Sequence, residues 1–376
     1  MHTSRERQSM KITAAALSLA SVVALLVADP AAGFLPAIAP AAAGAKGNSR
    51  WGTRHAAPAA VVARTACAKR RHIAAAARMV VGGGETKALQ LETSDKLPRG
   101  PAGAIKLTYL ELNSWMWEVN GINILVDPVF GTLDFGVPLL VQANKQVLSD
   151  GERAMREVAA VTDFLVISQG FDDHCHPATI KTLSGLLKPS VRLVAPPSAQ
   201  AVLEEHFPAS RITYILPGQS TVLSAGGRAV EIKATSGAVL GPPWQQAENG
   251  VIVRPVAADG DDKADPEGGS LYFEPHLFFD ESELSKLHAD VVITPVVQQK
   301  VGPFPLVCGG AKALDLASAL SASKLVTMAN AQVDFTGPLA SVVVEEGTLE
   351  GFLEIAKRKE VEVVVPQPAK TTSVWP

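Results

Sequence analysis

Cysteine is scarce. The 376-residue chain has three, Cys67, Cys175 and Cys308. That excludes a disulfide framework, and no Cys-x-x-Cys pair is present to seed a zinc cluster. Acidic residues are missing altogether from Pro30 to Gly84. Over the same Ala-rich stretch stand Arg50, Arg54, Arg64, Lys69, Arg70, Arg71 and Arg78, so this segment is not part of a folded core. The formal net charge of −3 averages this basic leader with a clearly acidic remainder. An acidic domain argues against nucleic acid as a partner.

The first residues have a targeting layout. Arg5, Arg7 and Lys11 precede an apolar run from Ile12 to Ala28, and the small residues Ala31-Ala32-Gly33 follow. Residues 1–33 read as a cleaved signal peptide. The rival is a membrane anchor, for which a run of about 17 residues is at the lower limit. Residues 34–84 are acid-poor and Arg-rich, as transit peptides are. The competing reading is a basic arm that binds nucleic acid, but Trp51 is its only Trp among the arginines. Signal plus transit segment resembles the two-part leader of algae with secondary plastids. That implies a plastid protein, with secretion or the endomembrane system as the alternative. Residues 85–102 read as a linker, and the mature chain is expected to start between Met79 and Leu97, with no membrane segment.

The globular pattern begins at Ala104. Ala104–Glu111 and Trp115–Val119 read as strands. Asn120-Gly121 is a hairpin turn, since both residues tolerate positive φ. Ile122–Val126 returns and ends at Asp127-Pro128. Trp115 and Trp117 share one strand face and are assigned to the core. Val129–Leu148 is a long connection, either a flap over a site or a cover on the sheet edge. Further strands are expected at Leu165–Ile167, Arg192–Ala195, Ile212–Leu216, Ala229–Thr235, Val251–Val256, Leu271–Phe273, Val291–Ile293, Leu325–Thr327 and Glu362–Val365. Helices are expected at Ala178–Leu187, Ser198–His206, Gly309–Leu320 and Thr348–Arg358. Two similar halves of strands and helices suit an α/β fold, a four-layer αββα sandwich with two mixed sheets inside and helices outside. One domain, 103–366, followed by a tail, 367–376, covers the remainder.

The densest chemistry lies in Thr162–Pro177. Leu165-Val166-Ile167 is a buried-type strand. Pro177 suits the first position of a helix. Between them Asp172, Asp173, His174, Cys175 and His176 bring two carboxylates, two imidazoles and a thiol to a strand end, where open sheets place their sites. A thiol beside a helix start can be activated, but a buried, inert Cys175 is the expectation.

This strand–turn–helix resembles the metallo-β-lactamase superfamily, whose signature is His-x-His-x-Asp-His. Gln169 and Phe171 stand at the two leading histidines; Asp173 and His174 match. The hairpin ending in Asp127-Pro128 resembles the start of the phosphorylated-lactone branch, where a further histidine precedes the hairpin; here that segment is Leu112-Asn113-Ser114. By the resemblance, the first metal site needs histidines at Gln169, Phe171 and the region of Ala238, and is therefore absent. The second keeps Asp173 and His174, with Asn330 at its last histidine. Glu274 stands where the family has a bridging Asp, and His276 is an extra imidazole beside it.

The resemblance implies one divalent metal, zinc first, with iron or manganese as alternatives, held by Asp173, His174, His276 and Glu274. Zinc favours imidazole and carboxylate and activates water. Asp173, Glu274 and His176 are the candidate catalytic residues. The implied activity is hydrolysis of a small ester, lactone or phosphorylated metabolite. Two other readings stay open. In one the fold persists as a metal-free binding or assembly module, and the same residues form a turn network, with His174 bonded to a carboxylate and His276 to a carbonyl. In the other, Glu274 and His276 work as a metal-free acid–base pair. The oligomeric state is left open.

Overall fold

Apolar alternation sets the strands. Phe164 and Val166 face one way and Leu165 the other, as a two-residue period requires. The computed structural model describes residues 101–239, 247–257, 268–329, 333–359 and 361–376. Two seven-stranded sheets carry the fold. The first runs β19 (Thr371–Trp375), β1 (Ile105–Tyr109), β2 (Trp115–Val119), β3 (Ile122–Val126), β5 (Phe164–Val166), β6 (Arg192–Ala195), β7 (Ile212–Tyr214). The second runs β18 (Glu362–Val364), β15 (Lys324–Met328), β12 (Val291–Pro295), β11 (Leu271–Phe273), β10 (Asn249–Val256), β9 (Arg228–Ser236), β8 (Ser220–Ala225). Each is antiparallel at one side and parallel at the other, so both are mixed sheets.

Three apolar layers separate four layers of structure. Between the sheets lie Trp115, Trp117, Val253, Phe273 and Ile293, with Trp117 edge-on to Phe273 at 5.4 Å. Outside the first sheet, Leu125, Leu165 and Leu193 meet α1 (Gly151–Val161), α2 (Pro177–Leu186) and α3 (Gln200–His206) through Val158, Ile180 and Leu203. Outside the second, Tyr272, Val292 and Leu325 meet α4 (Glu281–Leu284), α5 (Ala311–Ala319) and α6 (Leu349–Arg358) through Leu284, Leu316 and Phe352. This is the αββα sandwich expected from the sequence. Each fully buried large apolar side chain here contributes about 1.5–3 kcal/mol.

The hairpin turn is as expected, with φ of 53° at Asn120 and 67° at Gly121. The Asn120 side chain also accepts from Gly103 N–H and donates to the Ala229 carbonyl, tying the first sheet to the second. Several features depart from the sequence reading, the short helix α4 among them. Helix α1 was not anticipated. The connection Val129–Leu148 contains β4 (Gln142–Asn144), which pairs with β16 (Asp334–Thr336). β13 (Gln298–Val301) and β14 (Phe304–Val307) form a hairpin that β17 (Val343–Glu346) completes as a small third sheet. Residues 367–376 are not a tail: Thr371–Trp375 is the edge strand β19, paired with β1, with Val374 in the central core. The leader, Cys67 and Asn330 lie outside the described residues. Among the described residues no helix is long and apolar enough to cross a membrane.

Candidate metal centre

The site collects where strands of both sheets end. β3 leads directly into Asp127, a fully buried residue held at a φ of 43°. Left-handed backbone at a non-glycine residue costs on the order of 1–3 kcal/mol and persists where surroundings enforce it. Here three groups do so. Ser168 N–H donates to Asp127 Oδ1 at 2.7 Å, the Ser168 hydroxyl donates to Oδ2, and His174 Nδ1 lies 2.7 Å from Oδ2.

With Nδ1 of His174 committed, its Nε2 faces inward. It lies 3.1 Å from His276 Nε2 and 3.4 Å from Asp173 Oδ2. His276 in turn directs Nδ1 to the Leu306 carbonyl at 2.9 Å, leaving its Nε2 as a lone pair. Asp173, His174 and His276 thus offer three ligand atoms within 4.8 Å of one another.

Electrostatics follow from burial and crowding. Burial opposes a cation on His174, but Asp173 and Asp127 outweigh it and hold the imidazole up to about 10. Burial and the neighbouring His174 press His276 down to about 4. Burial also works against ionised Asp173, and His174 overrides it, taking the carboxyl down to about 2. Without a metal, the positive charge of the pair therefore sits on His174, whose Nε2 faces both Asp173 Oδ2 and His276 Nε2. The residues suit a divalent ion in its place. Imidazole nitrogen and carboxylate oxygen are zinc-type donors. Metal-binding histidines characteristically give their other ring N–H to a carboxylate or a backbone carbonyl, and Asp127 and Leu306 occupy those two roles. The bonds foreseen as a bare turn network are the outer shell such a centre requires.

Glu274 and His176 lie outside this group of three. Glu274 Oε2 accepts the N–H groups of His276 (3.2 Å) and Phe278 (2.7 Å), and Oε1 is 3.4 Å from Gln169 Nε2. Burial pushes its carboxyl up to about 7 against those bonds. His176 is the N-cap residue of α2 and directs Nδ1 to Thr179 Oγ1 at 2.8 Å, away from the three ligand atoms. The Thr179 hydroxyl is already committed to Phe130, donating to its carbonyl and accepting its N–H. Cys175 is fully buried in the layer under the helices, and burial pushes its thiol far up. Where the resemblance asks for a first metal site, Ala238 offers no ligand and Gln169 is turned to Glu274.

Three further residues complete the surroundings. Asp127 was noted in the sequence only as the end of a hairpin, and Asn113 only as a departure from a histidine. Asn113 Nδ2 lies 3.1 Å from both Asp173 Oδ2 and His174 Nε2. Glu248, just before β10, is buried; its Oε2 accepts the Ser198 hydroxyl at 2.7 Å and Gly170 N–H at 3.4 Å. A polar residue directly after an apolar strand was the signal available for Asp127. Nothing local marked Glu248.

A family model described as a β-lactamase superfamily domain matches residues 106–329. The chain belongs to this superfamily. Its two-sheet sandwich is the metallo-β-lactamase fold, and 106–329 spans the strand–turn–helix with its Asp173-His174 pair. Among solved structures, a possible metal-dependent hydrolase from Veillonella parvula is 14% identical, with 72% of this chain and 100% of that one covered at a TM-score of 0.50. Igni18, a metallo hydrolase from Ignicoccus hospitalis, is 17% identical, with 72% and 98% covered at a TM-score of 0.48. No curated protein matches the chain.

Proposed function

We propose that this protein is a metal-dependent hydrolase with one divalent ion, zinc first, held by Asp173, His174 and His276. The observation that carries the reading is the pair of inward Nε2 atoms 3.1 Å apart beside Asp173 Oδ2, each imidazole fixed from behind. A divalent ion there supplies Lewis-acid polarisation of a carbonyl oxygen. The chain supplies the proton-transfer group. Glu274, whose carboxyl burial pushes up before any ion is bound and whose Oε1 is its less engaged oxygen, would hold or release that proton.

The substrate is a small ester or lactone. Kinship with the phosphorylated-lactone branch rests on the hairpin and Asp127-Pro128, but the charge around the centre argues for an uncharged substrate. Asp172, pushed up to about 6 by burial and by Asp173 and Asp134, is crowded by like charge. Glu248 and Glu274 add two carboxyls. Lys145 turns its Nζ to the Leu110 carbonyl instead of the centre. Apart from the ion itself, the described side chains around the centre offer a phosphoryl group carboxyls and no cationic partner. The acid-free, Arg-rich leader supports plastid import, and a reporter fused to residues 1–96 that stays outside plastids would rule this out.

Gln169, Phe171 and Ala238 favour a second reading, a metal-free binding module, because they remove the first-site ligands. Metal content separates the two. The full chain, purified without a metal-binding tag, should hold one equivalent of zinc, iron or manganese. His174→Ala and His276→Ala should each lose it together with esterase or lactonase activity. A folded protein that is metal-free, and whose Tm ignores added metal, sinks the hydrolase.

A further inference from the structure

The centre has a fourth side chain against it, and its amide stands the wrong way round for the ion. Asn113 Nδ2 lies 3.1 Å from His174 Nε2 and 3.1 Å from Asp173 Oδ2, with the Asp173 carbonyl at 3.2 Å. Its Oδ1 is buried and has no hydrogen-bond partner. Asn113 itself is 5% exposed. A buried acceptor left without a donor is destabilising.

The position is built, not incidental. Two successive left-handed residues, Glu111 (φ 63°) and Leu112 (φ 54°), deliver Asn113 to the site. The Glu111 carboxylate pays for that backbone by accepting the N–H groups of Gln146, Val147 and Leu148 at 2.7–3.1 Å. The Tyr109 hydroxyl donates to the Leu112 carbonyl at 3.0 Å.

Resting on the metal reading above, we propose that Asn113 is the fourth ligand of the centre, through Oδ1 after a half-turn of its amide. A tetrahedral site with metal–ligand distances of about 2.0–2.2 Å has ligand–ligand edges of roughly 3.3–3.6 Å. From His174 Nε2 the neighbouring atoms stand at 3.1 Å (His276), 3.1 Å (Asn113) and 3.4 Å (Asp173), close to the edges meeting at one corner of such a figure. An amide nitrogen has no lone pair to give, whereas the amide oxygen does, and a half-turn exchanges the two. Without a metal, Nδ2 is held by Asp173. With a cation between these groups, the N–H would point at positive charge and the oxygen is preferred. A neutral amide oxygen is the weakest of the four donors, so it is the one that would give way to an incoming oxygen. Catalytic zinc needs such an open position.

The test is zinc affinity by competition with a chromophoric chelator and the visible spectrum of the Co(II)-loaded protein. Both are read on the full chain, wild type, Asn113→Ala, Asn113→Asp and His174→Gln, with Tm in excess chelator as the folding control. Asn113→Ala should weaken zinc by at least about tenfold, the lower end of what even outer-shell partners cost, and should change the Co(II) bands. Asn113→Asp keeps an oxygen at the same place and should restore both. If Asn113 only donates to Asp173, the aspartate instead removes the N–H, adds a like charge and fails to restore; that result overturns the proposal. Unchanged affinity and spectrum in Asn113→Ala overturn it too. A wild-type chain that binds no metal overturns the hydrolase reading itself, whereas loss confined to His174→Gln leaves that reading standing without Asn113.

Discussion

Lys145 shows what one buried charge does to this molecule. Its Nζ donates to the Leu110 carbonyl at 2.5 Å and to Ser114 Oγ at 3.3 Å, over the Phe130 ring at 4.4 Å. Burial lowers its pKa to about 7, with Glu111 working the other way. In the unfolded chain the same amine titrates near 10.4. Between these values the unfolded state holds the proton and the folded state does not, so this group makes stability rise with pH from about 7 to 10. Below pH 7 the full penalty of a buried ammonium stands. Lys145→Met should therefore abolish a slope of up to about 1.4 kcal/mol per pH unit. Urea unfolding of both chains at pH 7, 8, 9 and 10 checks it, and a wild-type-minus-variant difference that stays flat would refute it. At this scale the sequence was legible only in part. Asp173 and His174 were named because they match a recognisable motif at a strand end, and His276 because it stands beside Glu274 at another strand end. Asp127 and Asn113 were not given their parts, because each meets His174 across 47 and 61 residues of chain. Glu274 and His176 carried the right chemistry but stand outside the three ligand atoms, because Glu274 Oε2 is held by the His276 and Phe278 N–H groups and His176 Nδ1 faces Thr179, bonds the sequence did not show.

At the scale of elements, the turn after β5 depends on having no side chain at Gly170. A Cβ there would stand 2.6 Å from the Ser198 carbonyl carbon and 2.7 Å from Ser198 Cβ. Both are near-rigid backbone neighbours, and Glu248 bonds to Gly170 and Ser198 together. Gly170→Ala must force the turn and the 3-10 segment Pro197–Ala199 apart. Overpacking of this kind costs typically about 1–3 kcal/mol. The denaturation midpoint should fall by that amount, and zinc affinity should fall with it, since Asp173 and His174 are three and four residues on. An unshifted midpoint would mean the turn is softer than its contacts imply. Strands were the readable elements, because runs such as Leu165-Val166-Ile167 have no other explanation at that length. Helix α1 was hidden. Its buried residues, Ala154, Met155, Val158 and Ala159, do keep a helical spacing, and Asp150 caps it by accepting Arg153 N–H. Two of the four are alanines set among Glu152, Arg153, Arg156 and Glu157, so the apolar signal is faint. The β13–β14 hairpin was hidden for another reason: Gln298, Gln299 and Lys300 are polar, and Pro305 lowers strand propensity.

For the whole molecule the decisive contact is between the two ends of the domain. β19 closes the first sheet beside β1, pairing Ile105 with Trp375 and Thr108 with Thr371, whose hydroxyls meet at 2.8 Å. Thr371-Thr-Ser-Val-Trp is rich in β-branched and aromatic residues, a strand signal that the tail reading passed over. Val374 is 2% exposed in the core between the sheets. Trp375 packs where Gly269 leaves room, since a Cβ at Gly269 would lie 2.5 Å from the indole. Removing residues 367–376 would take these two side chains from the core and open the β1 edge. Burial of one Val alone contributes about 1.5–3 kcal/mol, and each lost ladder bond adds about 1 kcal/mol. The truncated chain should lose at least about 3 kcal/mol in denaturant unfolding. It should also associate through its bare edge, as unpaired strands do, which sedimentation would detect. Trp375→Ala, which keeps the ladder, should lose less and stay in the wild-type association state. A truncated chain with the wild-type midpoint and unchanged sedimentation would show that β1 closes the sheet alone and that the domain ends at Pro366.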